Sequence, residues 1–515
     1  MKPSQSPSLK EENRKRFPVN LDAPPPYEEA KTQSSEEISR SSLENNNLSP
    51  DFTSIIEMHT PQILTSMEFV DLDEDTTDSV KPPESMTQIF LQSFVPFFLG
   101  GFGSILAGLM LTFANRNLDL MEEVPEFLVL MPSLQGLKGN LDMTFSARLS
   151  TMAHLGTFEK PEYKEIIARN ICLNEAQAVF VCLVADLVTY LVIRIYPSEI
   201  KLAHNSTTTR RTENFLYLGS SSIVSMSICC AISAFLAWIV TLARRKGVNP
   251  DNIVTPLGAS FGDLLIISSM LLVCYVIRPY SQFSNVPPIS IIVIAITQTP
   301  LWLYFAWRDE SAIKTAKQQW CTLLFAACVS CMAGYIQSVG ALKFPNYPAY
   351  QTLISGLTGN RCAVQASRIA SHLEVKKESE LDWSTRLSPY SYFLSPSNES
   401  KTARLLLFTS LPFQMIFVVI SLGISYFMQT PTESDPRFFI GYALAAFIQV
   451  MFLLYGTQLV VVSLWRLGLD PDIHSIPLIT SVADLTGCAM LYLLFITLHQ
   501  AFQCVYADTT DFHDL

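Results

Sequence analysis

Two aspartates, Asp263 and Asp484, each stand inside an apolar run long enough to cross a bilayer. Ionisable groups at membrane depth are costly and mark ion or proton pathways by default. Each aspartate follows a proline, Pro256 or Pro477, by seven positions, and each is followed by leucine. They sit in two copies of one pattern, RKGVNPDNIVTPLGASFGDLL over 245–265 and RLGLDPDIHSIPLITSVADLT over 466–486. Two carboxylates near a common axis repel when both are ionised, and a cation between them removes that repulsion. Mg2+ suits such a pair, because it keeps most of its waters and usually takes one or two carboxylates. Ca2+ asks for more oxygens, and Zn2+ for His or Cys. Asp263 and Asp484 are therefore the expected metal-binding residues. His474 has no counterpart at Ile253 and is set aside.

A second pattern repeats at nearly the same offset. QGLKGNLDMTFSARLS over 135–150 aligns with SGLTGNRCAVQASRIA over 355–370. Gly136, Gly139 and Asn140 share one helix face, and Gly356, Gly359 and Asn360 repeat it. These six are the candidate pathway-lining residues. The glycines allow close backbone approach or a local break, and packing alone would also account for them. Each Asn amide can bond a hydrated ion or freed backbone groups. Lys138 and Asp142 do not repeat, their counterparts being Thr358 and Cys362. Their i, i+4 spacing suits a local ion pair. Arg148 and Arg368 are matched at helix ends and are expected to snorkel to headgroups. Asp251 and Asp472 are expected as helix caps, with attraction of cations at the cytosolic mouth left open. Glu175 and Asp186 have no evident partners in the second copy. Cys328 and Cys331 form a CxxC inside an apolar helix, where small apolar packing is the expected role.

These residues need membrane helices to hold them. The chain has 515 residues, 49% hydrophobic and 16% charged, with mean hydropathy +0.27. Soluble domains carry about 25% charged residues. The expected fold is an all-α polytopic membrane protein. Spans fall at 88–113, 125–147, 171–196, 215–243, 253–278, 285–307, 317–342, 347–371, 402–428, 437–464 and 475–500. Residues 1–87 read as a disordered cytosolic tail, 88–280 as the first five-helix unit and 281–314 as a linking transmembrane helix. Residues 315–500 form the second unit, and 501–515 a short acidic extracellular tail. One linking span between units of five makes the units parallel, related by an axis along the membrane normal.

Loop charge orients the chain. The even-numbered loops are basic, with Lys160, Lys164 and Arg169 in the second and Arg244, Arg245 and Lys246 in the fourth. They are expected to be cytosolic, which places the N-terminus inside and the C-terminus outside. The third loop, with Lys201, Arg210 and Arg211, runs against this rule. It also holds Asn205-Ser206-Thr207, a glycosylation acceptor at Asn205 on the outer side. In the tail, Pro24, Pro25, Pro26 and Tyr27 spell PPPY, a ligand for WW domains through polyproline II. The expected setting is the plasma membrane, with lipid, Mg2+ and a WW-domain protein as partners. No resident cofactor and no nucleic-acid partner are expected.

The repeated motifs resemble solute carrier family 41, the eukaryotic relatives of the bacterial MgtE magnesium transporters. The resemblance is carried by P-x-L-x-G-L-K-G-N-L (132–141), N-P-D-N-I-x-T-P-x-x-A-S-F-G-D-L (249–264) and their second copies, and covers about residues 88–500. It implies two MgtE-type units in one chain, transport of Mg2+ with other divalent cations admitted, and an ion-binding aspartate in the last span of each unit. Those aspartates map onto Asp263 and Asp484. The mode is either channel-like or coupled to Na+. The family's large soluble regulatory domains have no counterpart here, and the second copy departs at Arg361, Cys362 and Ala483. A transporter rather than an enzyme is expected. The competing expectation is a membrane adaptor that recruits a WW-domain ubiquitin ligase through PPPY without transport.

Overall fold

The computed structural model describes residues 86–502 except 125, 155, 157, 159–160, 196–207, 247–249, 251–252, 309, 345, 376–387 and 428–434. Pro24, Pro25, Tyr27, Asn205 and Asp251 lie outside the described residues.

The described elements are helices. The first unit comprises α1 (Met86–Asn117), the short α2 (Asp119–Glu123), α3 (Glu126–His154), α4 (Tyr163–Ile195), α5 (Thr208–Ile228), α6 (Cys230–Arg245) and α7 (Val254–Phe283). Then comes α8 (Val286–Ala306). The second unit comprises α9 (Glu310–Lys343), α10 (Tyr347–Val375), the short α11 (Pro389–Leu394), α12 (Asn398–Phe427), α13 (Pro436–Arg466) and α14 (Pro471–Phe502). α9 begins inside the stretch expected to be linker. The expected span 215–243 is divided at Cys229, which keeps right-handed helical dihedrals between α5 and α6. Its N–H still reaches Ser225 O at 3.0 Å, so the line continues through the junction. At α13, Asp435 accepts the N–H of Arg437 at 2.8 Å and Pro436 opens the helix, the usual signals for a start.

Nine helical segments among the described residues are long and apolar enough to cross a membrane. The chain is a multi-pass membrane protein. α3 and α10 are not among the nine. Each has 29 residues, about 43 Å at 1.5 Å per residue, but each is too polar to qualify by composition. Their surroundings explain how that polarity is tolerated. Nearly every residue of α3 from 127 to 150 is buried, and the same holds for α10 from 347 to 370. Protein rather than lipid surrounds them, the one setting in which such groups persist at this depth. Both helices run unbroken, so their glycines serve close approach and not a break.

The two units interlock. α1 packs against α7 of its own unit, then against α10 and α12 of the other. Likewise α9 packs against α14 of its own unit, then against α3 and α4 of the first. Phe97, Ile105 and Leu109 of α1 belong to the core built mainly by the second unit. Leu323, Ala327 and Cys331 of α9 belong to the core of the first. The crossings are tight. A β-carbon on Gly108 would stand 2.8 Å from Ala349 Cα, and one on Gly334 would stand 2.5 Å from Val129 O. Small residues permit such backbone contact between membrane helices. The helix α8 stays at the edge: 11% of its apolar window is buried, against 61% for α1 and α9. A run such as VPPISIIVIAITQTPLWLYFA suits that place.

Candidate functional site

The interlock brings the second and fifth helices of both units to the centre, where α3 meets α14 and α10 meets α7. A cavity lies there with about 40 Å³ open to water centres, more than the roughly 10–15 Å³ that one water needs. Asp263 of α7 and Asp484 of α14 both line it, and each is half-buried. Gly136 and Gly356 also line it, with Gln135 and Ser355 at the matched positions beside them. Gln337, Gln351 and Thr352 complete the polar wall. Each unit thus supplies the same backbone positions and one carboxylate.

The carboxylates reach across the unit boundary. A β-carbon on Gly136 would stand 2.6 Å from Asp484 Oδ2, while Gly139 faces Asp263 Oδ1 at 3.9 Å. Thr480, one turn before Asp484, donates its hydroxyl to Asn140 Oδ1. Asn140 is therefore fixed to the second unit rather than lining the cavity, and its Nδ2 has no hydrogen-bond partner. Asn360 and Gly359 are buried beside the same helices without entering the cavity lining. Gly359 faces Thr480 Cγ2 and Ala483 Cβ at 3.8 and 3.9 Å. Gln351 Nε2 donates to Ser355 Oγ at 3.1 Å, bracing the wall from within. Among the described residues no three His, Cys, Asp or Glu side chains gather as a metal cluster. A cation between the aspartates would take its remaining ligands from water and from neutral oxygens, a pattern that fits Mg2+.

Other polar residues sort differently. Lys138 Nζ lies 2.6 Å from Asp142 Oδ1 with both side chains buried, the local pair its spacing suggests. Arg148 does not snorkel. It is 7% exposed and donates to Asn170 Oδ1 at 3.4 Å, with Asp470 and Asp472 near enough to offset its charge. α3 is enclosed on every side, so no route leads from it to headgroups. Asp472 does not cap α14. That part falls to Asp470, whose Oδ1 accepts the N–H of Asp472 at 3.0 Å. Asp472 Oδ2 instead accepts from Thr151 at 2.6 Å, tying α14 to α3. His474 Nδ1 and Thr322 Oγ1 are 2.5 Å apart, away from the cavity lining. Cys331 is buried while Cys328 is exposed, so the CxxC lies at the edge of the buried face of α9.

Several wall residues escape the two repeat patterns. Ser104-Ile-Leu-Ala-Gly108 matches Ser330-Cys-Met-Ala-Gly334, and Ser104 and Ser330 face Gly356 and Gly136. That match has an offset of 226, not 220, because α2 adds a short helix to the first unit alone. A search allowing insertions between helices would have found it.

The MgtE model, described as a divalent cation transporter, matches residues 131–273 and again 351–494. Solute carrier family 41 member 2 of Homo sapiens is 31% identical over 441 residues, covering 82% of this chain and 74% of that protein. Solute carrier family 41 member 3 of Rattus norvegicus is 32% identical over 428 residues, covering 80% and 88%. No solved structure matches the chain. Matched twice by one family model and similar to these relatives over most of its length, the chain belongs to the MgtE divalent cation transporters and, among them, to solute carrier family 41.

Proposed function

We propose that this chain carries Mg2+ across the membrane, and that the ion passes partly hydrated between Asp263 and Asp484. One observation carries this reading: carboxylates from two different units line a single cavity large enough for water. Opposite charge from a divalent ion relieves their mutual repulsion, and the neutral wall of Gln135, Gln337, Gln351, Thr352 and Ser355 can replace part of its water shell. Gly136 and Gly356 keep the lane open by lacking side chains. The pathway runs between the halves, because both contribute to its wall. The basic even-numbered loops favour a cytosolic N-terminus and a C-terminus on the opposite side. The PPPY motif at 24–27 suits recruitment of a WW-domain ligase that would set the amount of protein at the surface.

The test is Mg2+ flux into proteoliposomes with the Asp263→Ala/Asp484→Ala double variant. Loss of flux with intact folding supports the reading, and flux at the normal rate overturns it. Repeating the assay with and without a Na+ gradient separates coupled exchange from a channel-like path. An adaptor without transport would show no Mg2+ flux from the unaltered protein and would depend on Tyr27 alone.

A further inference from the structure

The first unit carries a charged pair beside the cavity that the second unit lacks. Lys138 and Asp142 face Thr358 and Cys362 at the matched positions. Asp142 spends only one oxygen on the lysine. Its Oδ2 is buried, with Asn174 and Ser233 as polar neighbours but no well-formed hydrogen bond. That oxygen lies 3.3 Å from where a β-carbon on Gly262 would stand. Gly262 immediately precedes Asp263, and Asp263 lies within electrostatic reach of both Asp484 and Asp142. In the second unit Ala483 fills the place of Gly262 with a methyl group. The lysine sits behind, its Cγ 3.9 Å from the same Gly262 position. Glu175 of α4 also lies close enough to act on Lys138 and Asp142. A buried carboxylate oxygen without a well-formed hydrogen bond is unfavourable.

We propose that Lys138 and Asp142 set the charge that the transported divalent cation meets, with Asp142 drawing it in and Lys138 preventing its capture. Asp263, Asp484, Asp142 and Glu175 bring four carboxylates, and Lys138 is the one positive group among them. Removing the lysine leaves an excess that holds the ion. Removing Asp142 leaves the lysine with Glu175 as its one carboxylate neighbour, and the freed positive charge repels the ion. Asp142 is a positioning residue that acts on Asp263, and Lys138 acts through Asp142, so the proposal rests on the Mg2+ reading above.

The two single variants separate this from a structural ion pair, because a structural role moves both in the same direction. In proteoliposomes, Lys138→Met lowers the KM for Mg2+ and lowers the maximal rate, each by about threefold or more. Asp142→Asn raises the KM by about tenfold. The double variant Lys138→Met/Asp142→Asn returns the KM to near that of the unaltered protein. It removes both members of the pair together and is the variant least exposed to loss of folding. Lys138→Arg, which keeps the charge, keeps the KM. In detergent, the rise in melting temperature on adding Mg2+ is larger for Lys138→Met and smaller for Asp142→Asn. KM shifts of the same sign in both single variants, or no shift in either, overturn the proposal. So does a double variant no better than the worse single one. Asp263→Asn/Asp484→Asn is measured beside them. If it abolishes flux while the lysine pair proves silent, the aspartate pathway stands and this assignment falls. If it leaves flux normal, the aspartate pathway falls, whatever the pair does.

Discussion

Asp484 Oδ2 rests against the bare backbone of Gly136, 2.6 Å from the place a β-carbon would occupy, although the two residues belong to different units. A carboxylate can approach a helix this closely only where the side chain is missing. The contact is the most direct link between the two sequence patterns, and it generates the first prediction.

Gly136→Ala pushes the Asp484 carboxylate out of its place. The displaced atom is the end of a side chain and can move, so the fold survives. Mg2+ flux is expected to fall by about tenfold or more, since misplacing a reacting group by about 1 Å costs far more rate than stability. Gly139→Ala, whose nearest neighbour is at 3.7 Å, is the control and keeps most of the flux.

Asp263→Asn and Asp484→Asn each leave one carboxylate facing the ion. Each single variant loses most of the flux, and the double variant is little worse than either. Groups that act as one unit show this non-additivity. Initial rates of Mg2+ uptake at matched protein density check it.

Thr480→Val removes the hydroxyl that bonds Asn140 and leaves the Asn oxygen buried without a donor. The expected loss is about 1–3 kcal/mol of stability. Asn140→Ala/Thr480→Val removes both partners and recovers part of it, as a double-mutant cycle on melting temperature will show.

Gly334→Leu places a side chain where Val129 O and Ser133 Oγ stand 2.5 Å from the β-carbon position. Backbone on the neighbouring helix cannot yield as a side-chain tip can. Gly108→Leu meets Ala349 Cα in the matched crossing. Both variants are expected to lose about 1–3 kcal/mol or fail to assemble, with similar effects because the two crossings are equivalent. Yield of monodisperse protein and melting temperature in detergent are the measurements.

Much of this architecture can be read from residue order alone. Apolar runs mark the helices, and the doubled Gly-x-x-Gly-Asn and Pro-x6-Asp patterns mark what lies at the centre. Composition fails at α3 and α10, because a helix enclosed by protein need not be apolar. Pairwise geometry was less legible. Asn140 looked like a wall residue because it shares a face with Gly136, yet a single hydroxyl, Thr480, turns it into a strut. Thr480 has Ala259 as its counterpart and so left no trace in the repeat. Arg148 looked like a headgroup anchor because it ends a span, but helices from both units close over it. In each case the deciding partner comes from a distant segment, which local spacing cannot name.

The crossing of α1 and α9 bears on ancestry. One unit standing alone would leave the far face of its first helix bare, with Phe97, Ile105 and Leu109 deprived of the core they now join. Two identical copies could cover each other by trading that helix, as swapped dimers do. In this chain the trade takes place within one molecule, with α8 joining the copies, and the copies differ where Lys138 and Asp142 stand on one side and Arg361 on the other.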